Sequence, residues 1–294
     1  MKITSFGEVL WDDFPGGKVL GGAPLNVLVR LAALGADGSI ISSRGEDQDG
    51  EILEQQVSAK GVSTQLLQRS PDQPTSLVKV KLDADGIATY DIVYPCAWDR
   101  IRFQEEAAQR VAESDAFIYG SLSARDPVSS ATLEQLLERA RFKIFDVNLR
   151  PPHYQSEQVL ALMKQADLIK LNDDELYELA EAAGSHYHSM LQHMLYLSEL
   201  THTPRLCVTL GGHGAVYLEE GRFYHHNGYR VKVVDTVGSG DSFLAGLIHK
   251  LLDKAPADDA LAFACALGAL VAAHQGATPD ISLQDIEMFM NPMP

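Results

Sequence analysis

The sequence predicts an α/β fold: a mostly parallel central sheet flanked by helices, with a small β-sheet set apart from the main core. Three observations carry this. From about residue 105, short apolar runs of strand type alternate with helical stretches, the pattern of a parallel sheet covered on both faces. Between 75 and 94 the texture changes to two β-type runs around Asp83-Ala84-Asp85-Gly86, where Asp-Gly is a hairpin signal. The 294 residues have 46% hydrophobic content, enough to bury a large core. No linker, repeat or low-complexity segment divides the chain, so residues 1–294 are expected to form one domain.

The elements follow in order. A strand is expected at 2–10, then the Gly/Pro-rich stretches Phe14-Pro15-Gly16-Gly17 and Gly21-Gly22-Ala23-Pro24. A helix begins there, with Pro24 suited to its first turn and Gly35 ending it. A strand at 39–43, a helix at 49–60 and the hairpin runs at 75–82 and 88–94 come next. Strands are then expected at 116–119, 143–147, 168–171, 206–210 and 215–218. Helices at 131–141, 158–165, 174–183 and 189–200 lie between them. A further β-type run at 229–234 leads to a helix in which Phe243, Leu244, Leu247, Ile248, Leu251 and Leu252 recur at helical spacing. The Ala-rich stretch 260–273 is too short to span a bilayer and reads as a buried helix.

Composition excludes several classes. A net charge of −16 with no basic run argues against nucleic-acid and membrane partners. An anionic substrate would need positive potential supplied within its own site, from metal ions and backbone N–H groups. Cys96, Cys207 and Cys265 are few, odd in number and far apart, so the expected compartment is the reducing cytoplasm. The N-terminus lacks the basic start and apolar core of a signal peptide. The ten histidines show no metal-ligand spacing.

The densest chemical signal is Asp235-Thr236-Val237-Gly238-Ser239-Gly240-Asp241-Ser242-Phe243, a glycine-rich turn that feeds an amphipathic helix. Helix N-termini present free N–H groups and the positive end of the dipole, and glycines let a phosphate approach them closely. Asp241 falls in the first turn. A carboxylate there can take a hydroxyl proton while the N–H groups of Gly238, Ser239 and Gly240 hold phosphoryl oxygens. The plain alternative is that Asp241 caps the helix. Similarly, Asn172-Asp173-Asp174-Glu175 after a strand is a sound helix N-terminus, and Asn26 could serve a local turn.

The string Asp-Thr-x-Gly-x-Gly-Asp at 235–241 resembles the C-terminal signature of the ribokinase, or PfkB, carbohydrate kinase family, with Ser239 in place of the usual alanine. The resemblance runs along nearly the whole chain. Gly7-Glu8-Val9-Leu10-Trp11-Asp12 is similar to the family's first strand, which implies Asp12 on sugar hydroxyls. Strand alternation turns the adjacent Asp13 elsewhere. Gly21-Gly22-Ala23-Pro24-Leu25-Asn26 is similar to the second glycine motif, which implies sugar contacts from Gly21, Gly22 and Asn26. The Asn-x-x-Glu string implies that Asn172 serves the nucleotide and that Glu175 serves Mg²⁺, through water. Asp146-Val147-Asn148-Leu149-Arg150 resembles a cleft-lining run of fructokinase-like members, which implies that Arg150 meets phosphate or sugar. Thr209-Leu210-Gly211-Gly212-His213-Gly214 resembles the nucleotide loop, implicating Thr209, Gly211 and Gly214. Ala269 and His274 match the helix and turn beside the adenine, and Asp235 the site of a monovalent cation such as K⁺.

The resemblance thus implies an ATP-dependent sugar kinase of ribokinase-like fold, with Asp241 as general base. The lid would be formed by segments near 11–22 and 75–99. Leu10-Trp11-Asp12 and Ala97-Trp98-Asp99 most resemble bacterial fructokinases, which implies fructose phosphorylated at O6 and Trp98 against the sugar face or packed under the lid. A homodimer through the lid is expected from its unprotected edges. Another sugar or a nucleoside as acceptor, and a non-catalytic sugar-binding protein of the same fold, are the alternatives. A dinucleotide-dependent oxidoreductase lacks its Gly-x-Gly-x-x-Gly after the first strand.

Overall fold

The computed structural model describes residues 1–14, 16–82 and 88–292; Pro15 and the Asp83-Ala84-Asp85-Gly86 string read as a hairpin signal lie outside them. In chain order the first elements are β1 (Lys2–Phe6), β2 (Leu10–Phe14), β3 (Gly17–Gly21), α1 (Ala23–Ala33), β4 (Asp37–Gly45), α2 (Gln48–Ala59), β5 (Leu67–Ser70), β6 (Ser76–Leu82) and β7 (Ala88–Ile92). The middle holds α3 (Glu105–Glu113), β8 (Ala116–Gly120), α4 (Pro127–Leu137), β9 (Lys143–Asp146), α5 (Ser156–Met163), β10 (Leu168–Asn172), α6 (Asp173–Ala182) and α7 (Met190–Thr201). The last part holds β11 (Arg205–Thr209), β12 (Ala215–Glu219), β13 (Arg222–His226), α8 (Ser239–Leu252), α9 (Ala257–Ala272) and α10 (Leu283–Met290).

These strands build a nine-stranded sheet of order β13-β12-β11-β10-β9-β8-β1-β4-β5 and a four-stranded sheet of order β3-β2-β6-β7. Neighbours from β5 across to β11 all run parallel, and β12 and β13 turn back antiparallel at one edge. In the small sheet β2 and β6 are parallel, with an antiparallel partner on either side.

The expected two-faced core is present. Successive side chains of a strand point to opposite faces. Phe117 and Tyr119 of β8 therefore pack among α3–α7, while Ala116 and Ile118 pack among α1, α2, α8 and α9. Each fully buried leucine or phenylalanine in these layers contributes roughly 1.5–3 kcal/mol. Among the described residues, no helix is long and apolar enough to cross a membrane.

Three sequence expectations are corrected. Residues 2–10 form two strands in different sheets, because the chain leaves β1 at Gly7-Glu8-Val9 and enters the small sheet as β2. Residues 229–234 form no strand. Their backbone bonds instead to the end of α9, Val234 N–H donating to Ala272 O at 2.8 Å, and the edge strand is Arg222–His226. The small sheet ends at Ile92, and Ala97–Arg100 forms a 3-10 turn packed on β4, β5 and α4.

Candidate active site

Two cavities of about 390 Å³ each open side by side at the C-terminal ends of the parallel strands, where α/β sheets take ligands. They share Asn172, Thr209, Thr236 and Gly240. One lies beneath the small sheet and is walled by Leu10, Asp12, Val78 and Ile92 from that sheet and by Glu8, Arg150 and Lys170 from below. The other is lined by Gly211, Gly214, Tyr229, Phe243, Gly268 and Ala269.

Asp241 stands where the two meet. Gly238 precedes α8 in the left-handed region at φ 73°, and a Cβ there would lie 2.5 Å from Ala277 O, so only glycine suits. Ser239 N–H donates to Thr236 O at 3.2 Å, and Ser242 N–H to Gly238 O at 2.9 Å. The N–H groups of Gly240 and Asp241 precede it and have no intrahelical acceptor. Asp241 does not cap the helix. Its Oδ2 accepts a hydrogen bond from Asn26 Nδ2 of α1 at 2.8 Å, across 215 residues of sequence. Burial pushes the Asp241 carboxyl up to about 6, and the Asp146 charge adds to this, against the pull of Asn26, Lys170 and Arg150. Ser239 is turned to α9, its Oγ donating to Gly268 O at 2.9 Å.

Asp12 sits opposite on β2, half-buried, in register with Val19 of β3. A Cβ at Gly21 would collide with its carboxylate, and one at Gly22 with Glu8 O. Burial raises Asp12 to about 6, with Arg150 opposing and Asp241 reinforcing. Glu8 is 3% exposed and burial raises it to about 7, with Oε2 lacking any hydrogen-bond partner among the described residues.

Asn172 and Glu175 form a reciprocal cap on α6: Asn172 Oδ1 accepts from Glu175 N–H and Glu175 Oε2 from Asn172 N–H, both at 2.8 Å. Glu175 Oε1 also accepts from Leu149 N–H at 2.8 Å, which ties the Arg150 turn to α6. Burial raises Glu175, while Lys170 and these N–H groups oppose it. Each oxygen keeps one acceptor position, enough for a water of a hydrated divalent ion. Among the described residues, no three His, Cys, Asp or Glu side chains converge as a metal cage. Asp235 accepts from Val237 N–H and Gly276 N–H at 3.0 and 2.9 Å, pinning the turn before α8.

Two expected residues lie elsewhere. Trp98 is fully buried, with the Arg125 guanidinium stacked 4.1 Å above its ring, so no sugar can reach its face. His274 is exposed and lies off the cavity wall, its Nδ1 2.7 Å from Leu270 O. The sequence reading passed over Lys170, whose Nζ donates to Asp146 Oδ1 at 2.9 Å inside the protein. Burial alone would lower this ammonium, but Asp146, Glu175 and Asp241 more than offset that and hold it above the ordinary lysine value. The available signal was a lysine inside the apolar run Leu168-Ile169-Lys170-Leu171, where a buried charge needs a partner.

The sequence pattern of the pfkB family carbohydrate kinases matches residues 6–283. Fructokinase-2 of Solanum lycopersicum is 30% identical over 313 residues, covering 94% of this chain and 92% of that protein. Fructokinase with bound ATP from Xylella fastidiosa superposes with a TM-score of 0.86 at 24% identity, covering 98% of each chain. Fructokinase from Vibrio cholerae O395 in a fructose-, ADP- and calcium-bound form superposes with a TM-score of 0.84 at 24% identity, covering 99% of each chain.

Proposed function

The chain belongs to the pfkB family of carbohydrate kinases, and from that premise we propose that it transfers the γ-phosphoryl group of ATP to a sugar hydroxyl, with fructose O6 as acceptor. The observation that carries this reading is Asp241, held by Asn26 at the junction of two cavities and at the N-terminus of α8. The names and bound ligands of the relatives support the choice of ATP and fructose.

The cavity beneath the small sheet takes the sugar, and Asp12 and Asn26 offer the acceptors and donors a polyol needs. The neighbouring cavity takes the nucleotide. Its alanines and glycines leave room for a planar base beside Tyr229 and Phe243. The acceptor hydroxyl then faces Asp241, which takes its proton as the oxygen attacks the γ-phosphorus. A carboxylate raised to about 6 is still mostly ionised at pH 7, yet more basic than an ordinary aspartate. The N–H groups of Gly240 and Asp241 receive the phosphoryl oxygens. Glu175 would hold Mg²⁺ through water, and the ion would neutralise charge on the phosphates. Closing the small sheet over the sugar excludes water and so limits ATP hydrolysis. We assign Asp235 to a K⁺ site, the small sheet to a homodimer contact, and the protein to the cytoplasm. Three buried free cysteines fit a reducing compartment, and Val19 on the edge strand β3 is 45% exposed.

The deciding experiment measures ADP release from ATP and Mg²⁺ across a panel of sugars and nucleosides, with the phosphorylated position read by ³¹P NMR. Fructose-dependent turnover giving fructose 6-phosphate supports the proposal. Absence of turnover with every acceptor, in protein that still binds ATP, overturns it in favour of a binding protein.

A further inference from the structure

Lys170 is a charged side chain buried inside the main sheet. It is 7% exposed, on a strand buried on both faces, and its partner Asp146 is 4% exposed. Replacing such a pair by apolar side chains is often neutral or stabilising, so structure alone gives little reason to keep it. An ammonium has three N–H donors. Among the described residues, Asp146 Oδ1 is the one side-chain acceptor it bonds. Lys170 also lines the cavity beneath the small sheet. Its Nζ lies 3.4 Å from where a Cβ on Gly240 would stand, which puts it against the first turn of α8. Asn172, two residues further along β10, and Thr209, its register partner on β11, line both cavities.

The charge problem gives this placement meaning. A chain of net charge −16 must hold a polyanionic nucleotide beside Asp241, Asp12 and Glu8. Arg150 is exposed at the rim, where water screens it. Lys170 is buried, where an oriented charge acts most strongly on charge developing nearby.

We propose that Lys170 is a catalytic residue whose ammonium contacts the γ-phosphoryl group in bound ATP and as it crosses from one cavity to the other. The inference rests on the kinase reading above. In the step, the bond from the γ-phosphorus to the β–γ bridging oxygen breaks and a bond to the acceptor oxygen forms. The acceptor proton goes to Asp241, ADP leaves with the bridging electron pair, and Lys170 stays protonated throughout. Asp146 holds the ammonium in place before ATP arrives.

The test compares wild type, Lys170→Met and the double variant Asp146→Asn/Lys170→Met, with folding checked by circular dichroism. The double variant removes both charges and so covers the case in which an unpaired Asp146 unfolds the single variant. Two quantities are read: kcat and KM with the best acceptor, and by calorimetry the affinity for a non-hydrolysable ATP analogue relative to ADP. A fall in kcat of roughly 10²–10³ in both variants is expected, with sugar KM changed only a few-fold. The preference for the triphosphate over ADP should fall in parallel. Return of wild-type kcat in the double variant would show that Lys170 merely neutralises Asp146, and overturns the inference. An unchanged triphosphate preference also overturns it. A wild type that phosphorylates no acceptor would sink the kinase reading separately, while the affinity ratio would still decide whether Lys170 meets the γ-phosphate.

Discussion

On one side of Asp241 the cavity wall carries Glu8, Asp12, Arg150 and Lys170; on the other it carries glycines, alanines, Tyr229 and Phe243. The first wall gathers side chains from β2, β10 and the turns after β1 and β9, and burial raises Glu8 and Asp12 well above ordinary carboxylates. The second consists largely of backbone and small side chains from the loop after β11 and from α9. The difference separates two kinds of recognition. A sugar offers only hydroxyls, so its site must fix direction with charged groups that are costly to bury. A nucleotide brings its own charge and a flat base, so its site needs shape and free N–H groups.

Substitutions on the two walls should therefore fail differently. The largest effect is expected at the junction. Asp241→Asn should lower kcat by roughly 10²–10⁴ while leaving ATP affinity near wild type, as read by steady-state kinetics and calorimetry. Asp12→Asn should raise the KM for sugar by roughly 10–100-fold and hardly touch the KM for ATP. Ala269→Phe should do the reverse, raising the KM for ATP by roughly tenfold through lost space. Equal effects of the last two on both substrates would break the comparison.

The carboxylates also set the pH response. With Asp241 as the proposed base, its raised value should place the acid limb of kcat/KM near pH 6 rather than near 4, as read from a pH–rate profile. The smallest effect concerns stability. Glu8 rises from 4.5 to about 7 on folding, so the folded state binds its proton more tightly. That favours folding below pH 4.5 and is lost once the pH passes 7. Glu8→Gln should accordingly raise Tm by roughly 2–6 °C at pH 8 and leave it nearly unchanged at pH 4.

The large sheet was legible because buried parallel strands and covering helices alternate in the sequence as they do in space. The turn at 238–241 was legible because a left-handed residue and a close backbone approach demand glycine at Gly238. What escaped depends on neighbours distant in sequence. Trp98 reads as lying against a sugar face or packed under the lid, yet it is fully buried with Arg125 on its face. The valines after Tyr229 read as a strand, yet no strand forms there and Val234 N–H bonds the end of α9. Asn26 reads as a residue of the glycine motif, and nothing in that string shows that its amide also holds Asp241. Lys170 was hidden because a strand pattern records apolar periodicity and says nothing of the acid on the next strand.

The hydrogen bond from Asn26 to Asp241 joins positions 215 residues apart. Contacts of such sequence separation form late, because a long loop must close before they reward the chain. During synthesis, a nascent chain that has not yet released α8 from the ribosome can carry Asp12 and Asn26 but cannot set Asp241, the proposed base, against them. Phosphoryl transfer would then report completed folding, and an unfinished chain could not squander nucleotide through this pair.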